Sequence, residues 1–331
     1  MLQRRKRMVT IKDVGKHAGV SVATVSRYLN SKGYVSEDAK RAIEMAIIEL
    51  DYKPNQLARS LSTKKTNIIG LLVPDITNPF FPELARAVED TAYTNGYTVV
   101  LCNSGEQKDR EIHYIESLQQ KYAAGFIVTT NQLEADYYRK ISLPIVALDR
   151  RLDPAIPTVT TNNIDGATIA TEYLIARGCK HILCVRGPVG LDVAEDRFTG
   201  FMETMKNYPN ISSDIITSQF DFDEAEKKVF DYLKTHEFVD GIFASSDVLA
   251  IGAMKAAHSL DVQIPGELQL VGFDGISMGK LLTPELTTVA QDIYKLGTAA
   301  TELLIQKIEG HEIENNLTEL PATLVIRSST K

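Results

Sequence analysis

Planar polar groups and flat aromatic rings stand at the ends of apolar runs in this sequence, where they could bind a small polar ligand. Asn78, Phe80 and Phe81 follow one such run, and Asp149 and Arg150 follow another. Aromatic faces suit the C–H faces of a pyranose or furanose, and planar bidentate groups suit its hydroxyls, which both donate and accept. These residue types therefore indicate a sugar site.

Further candidates lie later in the chain. Ser246 and Asp274 follow apolar runs, Arg197 lies in a predicted helix, and Gln291 lies at a predicted crossover. Taken singly, such residues have ordinary alternatives: rings in the core, a surface ion pair, or a solvated charge on a helix. Together on one rim, they favour a binding cleft.

A further wall of this cleft could come from either of two aromatic residues, Phe220 or Phe222, and the sequence does not decide between them. Phe222 is taken into the candidate set. The predicted effector-binding residues are Asn78, Phe80, Phe81, Asp149, Arg150, Arg197, Phe222, Ser246, Asp274 and Gln291.

The elements that must position these residues alternate regularly from residue 67 onward. Short continuous apolar runs are typical of buried parallel strands, and the amphipathic stretches between them are typical of helices. A second series of the same kind begins near residue 162. The pattern predicts two doubly wound α/β lobes with a cleft at the carboxyl ends of their strands.

The first 65 residues differ from the rest in charge. Lys and Arg outnumber Asp and Glu by 14 to 6 in residues 1–65 and are outnumbered 22 to 37 in residues 66–331. A basic head on an acidic body indicates that the head binds a polyanion.

The head has the pattern of a helix-turn-helix. Thr10 and Asp13 form a helix-start signal, Gly19 ends that helix, Ser21 caps a second one and Ser36 a third. The second helix carries small side chains, which allow its backbone to approach base edges in a DNA major groove. A short surface helix without a ligand is the weaker alternative.

Residues 54–66 are too short to form a stable helix alone in water. Pro54 could begin a helix that forms only against a partner and the DNA minor groove, with Leu61 as an apolar wedge. A plain linker is the alternative, and composition does not choose between the two.

The sequence resembles the lactose-repressor (LacI-type) family of bacterial transcription regulators. The resemblance rests on TIKDVGKHAGVSVATVSRYLN, on VSEDAKRAIEMAIIELDYKPNQLARSLSTKKTNIIGLLVPDITNPFF, and on the later DIYKLG and IRSSTK. It implies that the chain crosses three times between lobes. The expected domains are the DNA-binding head at 1–53, a hinge helix and linker at 54–66, and an effector-binding and dimerisation domain at 67–331, with lobe 1 at about 67–162 plus 292–322 and lobe 2 at about 163–291 plus 323–331.

The resemblance also implies particular DNA contacts. The residues that would read bases are Val22, Ala23 and Arg27. The residues that would hold the phosphate backbone are Thr10, Ser21, Thr24, Ser26 and Asn30. Asn55 and Leu61 complete the DNA-binding set, and Leu61 would kink a roughly palindromic site. Apolar contacts from Val22 and Ala23 would favour thymine methyl groups.

The cleft residues are similar to those of periplasmic ribose-binding proteins and of ribose or sucrose-type repressors. One departure is Ser246, which stands where the ribose-binding pattern has Asn. We therefore expect a homodimeric repressor of a carbohydrate operon, released from a pseudo-palindromic operator by a sugar, with ribose first and sucrose or fructose next. A regulator that answers chiefly to a phosphorylated protein corepressor is the alternative.

Other functional classes find little support in the sequence. We expect no enzyme, because no paired carboxylates, phosphate-binding loop or nucleophile elbow is recognisable, and we expect no metal or other cofactor. No window has the apolar length of a membrane span, and Cys102, Cys179 and Cys184 lack metal-ligand spacing. A cytoplasmic protein with reduced thiols is expected.

Overall fold

The computed structural model describes residues 9–29, 33–52, 66–130, 132–236 and 238–331. The chain divides into two compact units, Met1–Thr66 and Asn67–Lys331. The predicted DNA contacts Asn30, Asn55 and Leu61 and the predicted hinge helix lie outside the described residues.

The described residues of the N-terminal unit form three helices around a small apolar core. They are α1 (Ile11–His17), α2 (Val22–Leu29) and α3 (Glu37–Glu49). Thr10 and Asp13 form a reciprocal capping box at the start of α1, and Gly19, with φ +66°, makes the turn before α2. The core residues are Val14, Val25, Val35, Ile43, Ala46 and Tyr52. The predicted helix-turn-helix arrangement is confirmed.

The C-terminal unit contains two six-stranded sheets. The first has the order β11-β5-β4-β3-β1-β2 and the second the order β12-β10-β9-β8-β6-β7. Among the described strands, β10 and β12 pair antiparallel and the other pairings are parallel. The first sheet consists of β1 (Ile68–Val73), β2 (Thr98–Asn103), β3 (Gly125–Val128), β4 (Ile145–Leu148), β5 (Thr158–Thr161) and β11 (Leu317–Leu320). The second consists of β6 (His181–Arg186), β7 (Ser212–Thr217), β8 (Gly241–Ala244), β9 (Gln269–Asp274), β10 (Thr287–Ala290) and β12 (Thr323–Val325).

Helices cover both faces of each sheet, which explains why the central strands are continuous apolar runs. The first lobe has α4 (Phe80–Thr94), α5 (Lys108–Gln120), α6 (Ala135–Arg139) and α11 (Ile293–Glu309). The second has α7 (Asn163–Ala176), α8 (Asp192–Lys206), α9 (Phe222–Leu233) and α10 (Asp247–Ser259), and a short 3₁₀ turn (Ser277–Lys280) follows β9.

The chain crosses between the lobes after β5, after β10 and after β11, because α11 and β11 return to the first lobe and β12 joins the second sheet. The predicted pair of doubly wound α/β lobes is confirmed. The carboxyl ends of the strands in both lobes supply the residues of one cleft.

Candidate functional site

A cavity of about 470 Å³ lies between the two lobes at the carboxyl ends of their strands. Small-molecule sites have volumes of roughly 300–1,000 Å³. Both lobes contribute side chains to it. The predicted effector residues that line it are Asn78, Phe80, Phe81, Asp149, Arg150, Arg197, Ser246 and Asp274.

Phe80 and Phe81 form an aromatic wall at the start of α4. Their rings meet edge to face with centroids 5.2 Å apart, and each also packs into the core of the first lobe. Asn78 fixes the entry to the helix, since its Oδ1 accepts a hydrogen bond from the Phe80 backbone at 3.1 Å. The two rings therefore belong both to the core of the first lobe and to the wall of the cavity.

Asp149 and Arg150 are buried after β4 and do not form a surface ion pair. Asp149 has φ +57°, and its Oδ1 accepts from Thr160 Oγ1 at 3.1 Å. Arg150 Nη1 donates to the Asp149 backbone oxygen at 2.6 Å, and Arg150 Nε has no hydrogen-bond partner among the described residues. A buried donor of this kind usually bonds to an ordered water or to a ligand, and this one lies on a residue that lines the cavity.

Arg197 lies in α8 and is 2% exposed, which rules out a solvated helix charge. Its Nε donates to Asn163 Oδ1 at 2.8 Å and its Nη1 to the Ser245 carbonyl at 2.7 Å. The guanidinium also lies 3.9 Å from the centre of the Phe273 ring. These contacts hold a rigid donor group at the second lobe's side of the cavity.

Asp274 pairs with Arg197 across 2.9 Å between Oδ1 and Nη1. Gln291 lies behind this pair and outside the cavity lining, and its Nε2 donates to the same Asp274 oxygen at 2.8 Å. Burial raises the pKa of Asp274, and the Arg197 charge partly opposes that rise. Gln291 therefore supports Asp274 from the crossover segment.

Ser246 lines the cavity at the start of α10, where its Oγ accepts from the Leu249 backbone at 3.2 Å. It thus caps the helix as well as facing the cavity. The hydroxyl is shorter than the Asn of the ribose-binding pattern and has one backbone partner already.

The prediction that Phe222 binds the effector is wrong, because Phe222 does not line the cavity. Phe220 lines the cavity and packs on Gly187, where an added Cβ would lie 2.6 Å from the Phe220 ring. Phe222 is the first residue of α9 and lies beside Lys255, with Nζ 5.1 Å from the ring centre. Asp221 caps α9 and turns the chain between the two rings.

Sequence reasoning missed several polar residues of the cavity, which are Asp75, Glu106, Gln132, Gln219 and Asp221. Each follows a strand: β1, β2, β3 or β7. The strand-end rule that selected Asp149 and Asp274 would have found them if it had been applied to every strand.

Two polar bridges join the lobes beside the cavity. The Arg151 backbone donates to Asp192 Oδ2 at 3.0 Å, and Arg151 Nη2 lies 2.7 Å from Asp196 Oδ2. On another side, Glu83 Oε1 accepts from the Ser277 backbone at 2.8 Å and from its hydroxyl at 2.6 Å. The relative orientation of the lobes is therefore held by contacts that a ligand between them could strengthen or break.

In the N-terminal unit, α2 presents the predicted base-reading residues on its outer face. Val22, Ala23 and Arg27 are exposed, while Val25 faces the core. The Val22 side chain is 41% exposed and is therefore accessible on this face. This surface is the candidate DNA interface.

The predicted phosphate contacts flank the same helix. Ser21 and Thr24 share a hydrogen bond of 2.8 Å between their hydroxyls, and the Thr24 backbone donates to Ser21 Oγ. Ser26 is half-buried, and Thr10 holds the capping box of α1.

No helix in the described part of the chain has the length and apolar content that crossing a membrane requires. Within those residues, no group of three or more His, Cys, Asp and Glu side chains could hold a metal ion. Cys102, Cys179 and Cys184 are buried free thiols, and burial raises the pKa of each.

Two family models match the chain. Residues 10–55 match the bacterial regulatory proteins of the lacI family, and residues 66–328 match the periplasmic binding proteins and sugar binding domain of the LacI family. The chain therefore belongs to the LacI family. The predicted class, a DNA-binding regulator with a sugar-binding domain, is confirmed.

Individual relatives are similar over most of the chain. A ribose operon repressor of Halalkalibacterium halodurans is 52% identical over 98% of both chains. A periplasmic binding protein/LacI transcriptional regulator from Alkaliphilus metalliredigens, complexed with D-xylulofuranose, is 35% identical over 80% of this chain and 100% of its own, with a TM-score of 0.75. An Enterococcus faecium LacI family regulator with bound ribose is 29% identical over 80% and 98%, with a TM-score of 0.74.

Proposed function

We propose that this protein represses a ribose-utilisation operon and that ribose, bound between the lobes, releases it from its operator. The observation that carries the proposal is the buried set of Phe80, Asp149, Arg150, Arg197 and Asp274 around one cavity. The 52% identity to a ribose operon repressor supports ribose as the first ligand to test, with sucrose or fructose next.

The chemistry of the cavity fits a sugar ring. The Phe80 and Phe81 rings offer apolar faces for C–H groups, while the carboxylates accept from hydroxyls and the guanidinium groups donate to them. A regulator that answered only to a protein corepressor would need no such cavity, because its partner would bind an outer surface. The corepressor alternative is therefore not favoured.

The charges of the cavity favour an unphosphorylated sugar. The acidic lining residues are Asp75, Glu106, Asp149, Asp221 and Asp274, and the basic ones are Arg150 and Arg197. Both guanidinium groups already bond within the protein, Arg197 to Asp274 and Arg150 to the Asp149 carbonyl. A phosphate group would meet an excess of negative charge at short range, which a neutral sugar avoids.

The two lobes give the sugar a means of switching. Ribose would contact residues of both lobes at once and would favour the lobe orientation in which those contacts form. It shifts the equilibrium only if it binds the two orientations with different affinity. Bridges such as Arg151 with Asp196 contribute to the same equilibrium.

The DNA side of the proposal rests on the exposed face of α2. Val22, Ala23 and Arg27 would contact base edges, and Ser21 and Thr24 the phosphates, as in other helix-turn-helix proteins. A homodimer would present two heads to a pseudo-palindromic operator. The predicted hinge contacts of Asn55 and Leu61 belong to the same proposal.

Calorimetric titration of the protein with ribose, ribose 5-phosphate, fructose and sucrose tests the effector. An operator duplex is selected from a random DNA pool by the protein itself, and the titrations are repeated with it present. We expect micromolar binding of ribose that the duplex weakens, and no measurable binding of ribose 5-phosphate. Absence of sugar binding would overturn the effector assignment, and failure to select a palindrome would overturn the DNA assignment independently.

A further inference from the structure

The loop that carries Asp274 into the cavity has an unusual backbone. Asp274 has φ +114° and Gly275 has φ +78°, so two successive residues occupy a region that favours glycine. A non-glycine residue remains there only when its surroundings hold it. The contacts of its side chain with Arg197 and Gln291 depend on this backbone.

Asp247 is the group that holds this loop from below. It is the first residue of α10, it is completely buried, and it is not among the residues that line the cavity. Its Oδ2 accepts hydrogen bonds from the backbone of Gly275 at 2.8 Å and of Ile276 at 2.9 Å. The two amides that follow Asp274 are thus fixed by one carboxylate oxygen.

The second oxygen of Asp247 is fixed from the neighbouring strand. Thr288 Oγ1 donates to Oδ1 at 2.6 Å, and Thr288 is the register partner of Gly272 in β9. A Cβ on Gly272 would lie 2.3 Å from the same Oδ1. The carboxylate therefore rests directly on the backbone of β9, two residues before Asp274.

We infer that Asp247 is a positioning residue for effector recognition: it holds the Asp274–Ser277 loop in the conformation that presents the Asp274 carboxylate to the sugar. The inference rests on the proposed function for the sugar itself. Burying a carboxylate is costly, and here its three hydrogen bonds all hold the loop or the strand beside it. Asp247 does not line the cavity and acts through Asp274.

Three variants separate positioning from stability. Asp247→Asn keeps the hydrogen bonds to the loop and to the strand, because its Oδ1 can accept from the two amides while its Nδ2 donates to Thr288. Asp247→Ala removes all three hydrogen bonds. Thr287→Val is the matched control, since Thr287 is equally buried on β10 but bonds to Arg327 and Thr330 of the C-terminal segment instead of to the loop.

Ribose affinity is measured by calorimetry at least 15 °C below each melting temperature, together with affinity for the selected operator without sugar. We expect Asp247→Ala to weaken ribose binding by at least 10-fold and to leave operator binding within 3-fold. Asp247→Asn and Thr287→Val should bind ribose within 3-fold of the wild type, whatever their melting temperatures.

Equal ribose affinity for Asp247→Ala and the wild type would overturn the inference, as would equal losses in Asp247→Ala and Thr287→Val. If the wild type itself binds no ribose, the proposed effector fails, and a crystal structure of Asp247→Ala then decides the positioning role. Separation of the Asp274 carboxylate from Arg197 would support it, and an unchanged loop would overturn it.

Discussion

Replacing Asp149 by Asn is expected to weaken ribose binding by about 10- to 150-fold. The side chain is 6% exposed and lies at the cavity, and its φ of +57° is one that Asn adopts as readily as Asp. Among the described residues, the carboxylate accepts one hydrogen bond, from Thr160. The substitution therefore keeps the shape of the site and removes its charge.

The expected loss of affinity follows from the hydrogen bond that the Asp149 carboxylate would accept from a sugar hydroxyl. A hydrogen bond to a charged group contributes about 1.5–3 kcal/mol, and a neutral one about 0.5–1.5 kcal/mol. Loss of a charged partner for a sugar hydroxyl, with the Asn amide in an unfavourable orientation, costs up to about 3 kcal/mol, or about 150-fold in Kd. Arg150 keeps its hydrogen bond to the Asp149 backbone oxygen, but its buried guanidinium loses the nearby Asp149 charge, so the free energy of unfolding should also fall.

The assay is calorimetric titration with ribose, with urea unfolding to confirm the fold. Asp136→Asn is the matched control, because Asp136 is an exposed carboxylate paired with Arg139 and Asp→Asn changes the net charge equally. It should bind ribose as the wild type does. A folded Asp149→Asn variant whose Kd lies within 3-fold of the wild type would refute the assignment of Asp149 to the sugar.

Three other outcomes are expected. Arg27→Ala should weaken binding of the selected operator by about 1–3 kcal/mol and relax its sequence preference, as mobility-shift titrations would show; uniform weakening on every sequence would instead indicate a phosphate contact. Gly272→Ala should weaken ribose binding as Asp247→Ala does, since its Cβ would displace the Asp247 carboxylate, and calorimetry checks this. Burial and the nearby Asp274 charge raise the pKa of Asp247 above its ordinary 3.8. The folded state therefore binds this proton more tightly than the unfolded state does. The contribution of Asp247 to the free energy of unfolding should fall as the pH rises above 3.8. Urea unfolding between pH 4 and 8 should accordingly show a smaller fall in the free energy of unfolding for Asp247→Asn than for the wild type. The same dependence on pH in both proteins would contradict the prediction.

The order of strands and helices could be read from the sequence because it is a local property. Strands buried on both faces are continuous apolar runs, and helices between them carry apolar residues on one side only. The same reasoning located Asp149, Arg150 and Asp274, since parallel strands bring their carboxyl ends to one edge. The helix-turn-helix of the head could also be predicted, because Thr10, Asp13 and Gly19 act within one helix and its turn.

The sequence did not choose between Phe220 and Phe222. Asp221 caps the helix that begins at Phe222. The direction of the Phe220 ring depends on packing against Gly187 and that of the Phe222 ring on packing against Lys255, and both partners are distant in the chain. Gln291 was placed at the cleft, whereas the structure places it behind Asp274. Both cases depend on tertiary packing, which no local pattern encodes.

Asp247 shows the limit most clearly. In the sequence it is an ordinary acidic residue at the start of a helix, a place where a carboxylate is favourable in any protein. Only the fold brings it under Gly275, Ile276 and Thr288, residues that lie 28 to 41 positions away. The sequence by itself determined the family, the elements and the residue types of the cavity. The tertiary structure alone decided which buried groups hold those residues in place, because hydrogen bonds between elements distant in the chain leave no periodic signal in it.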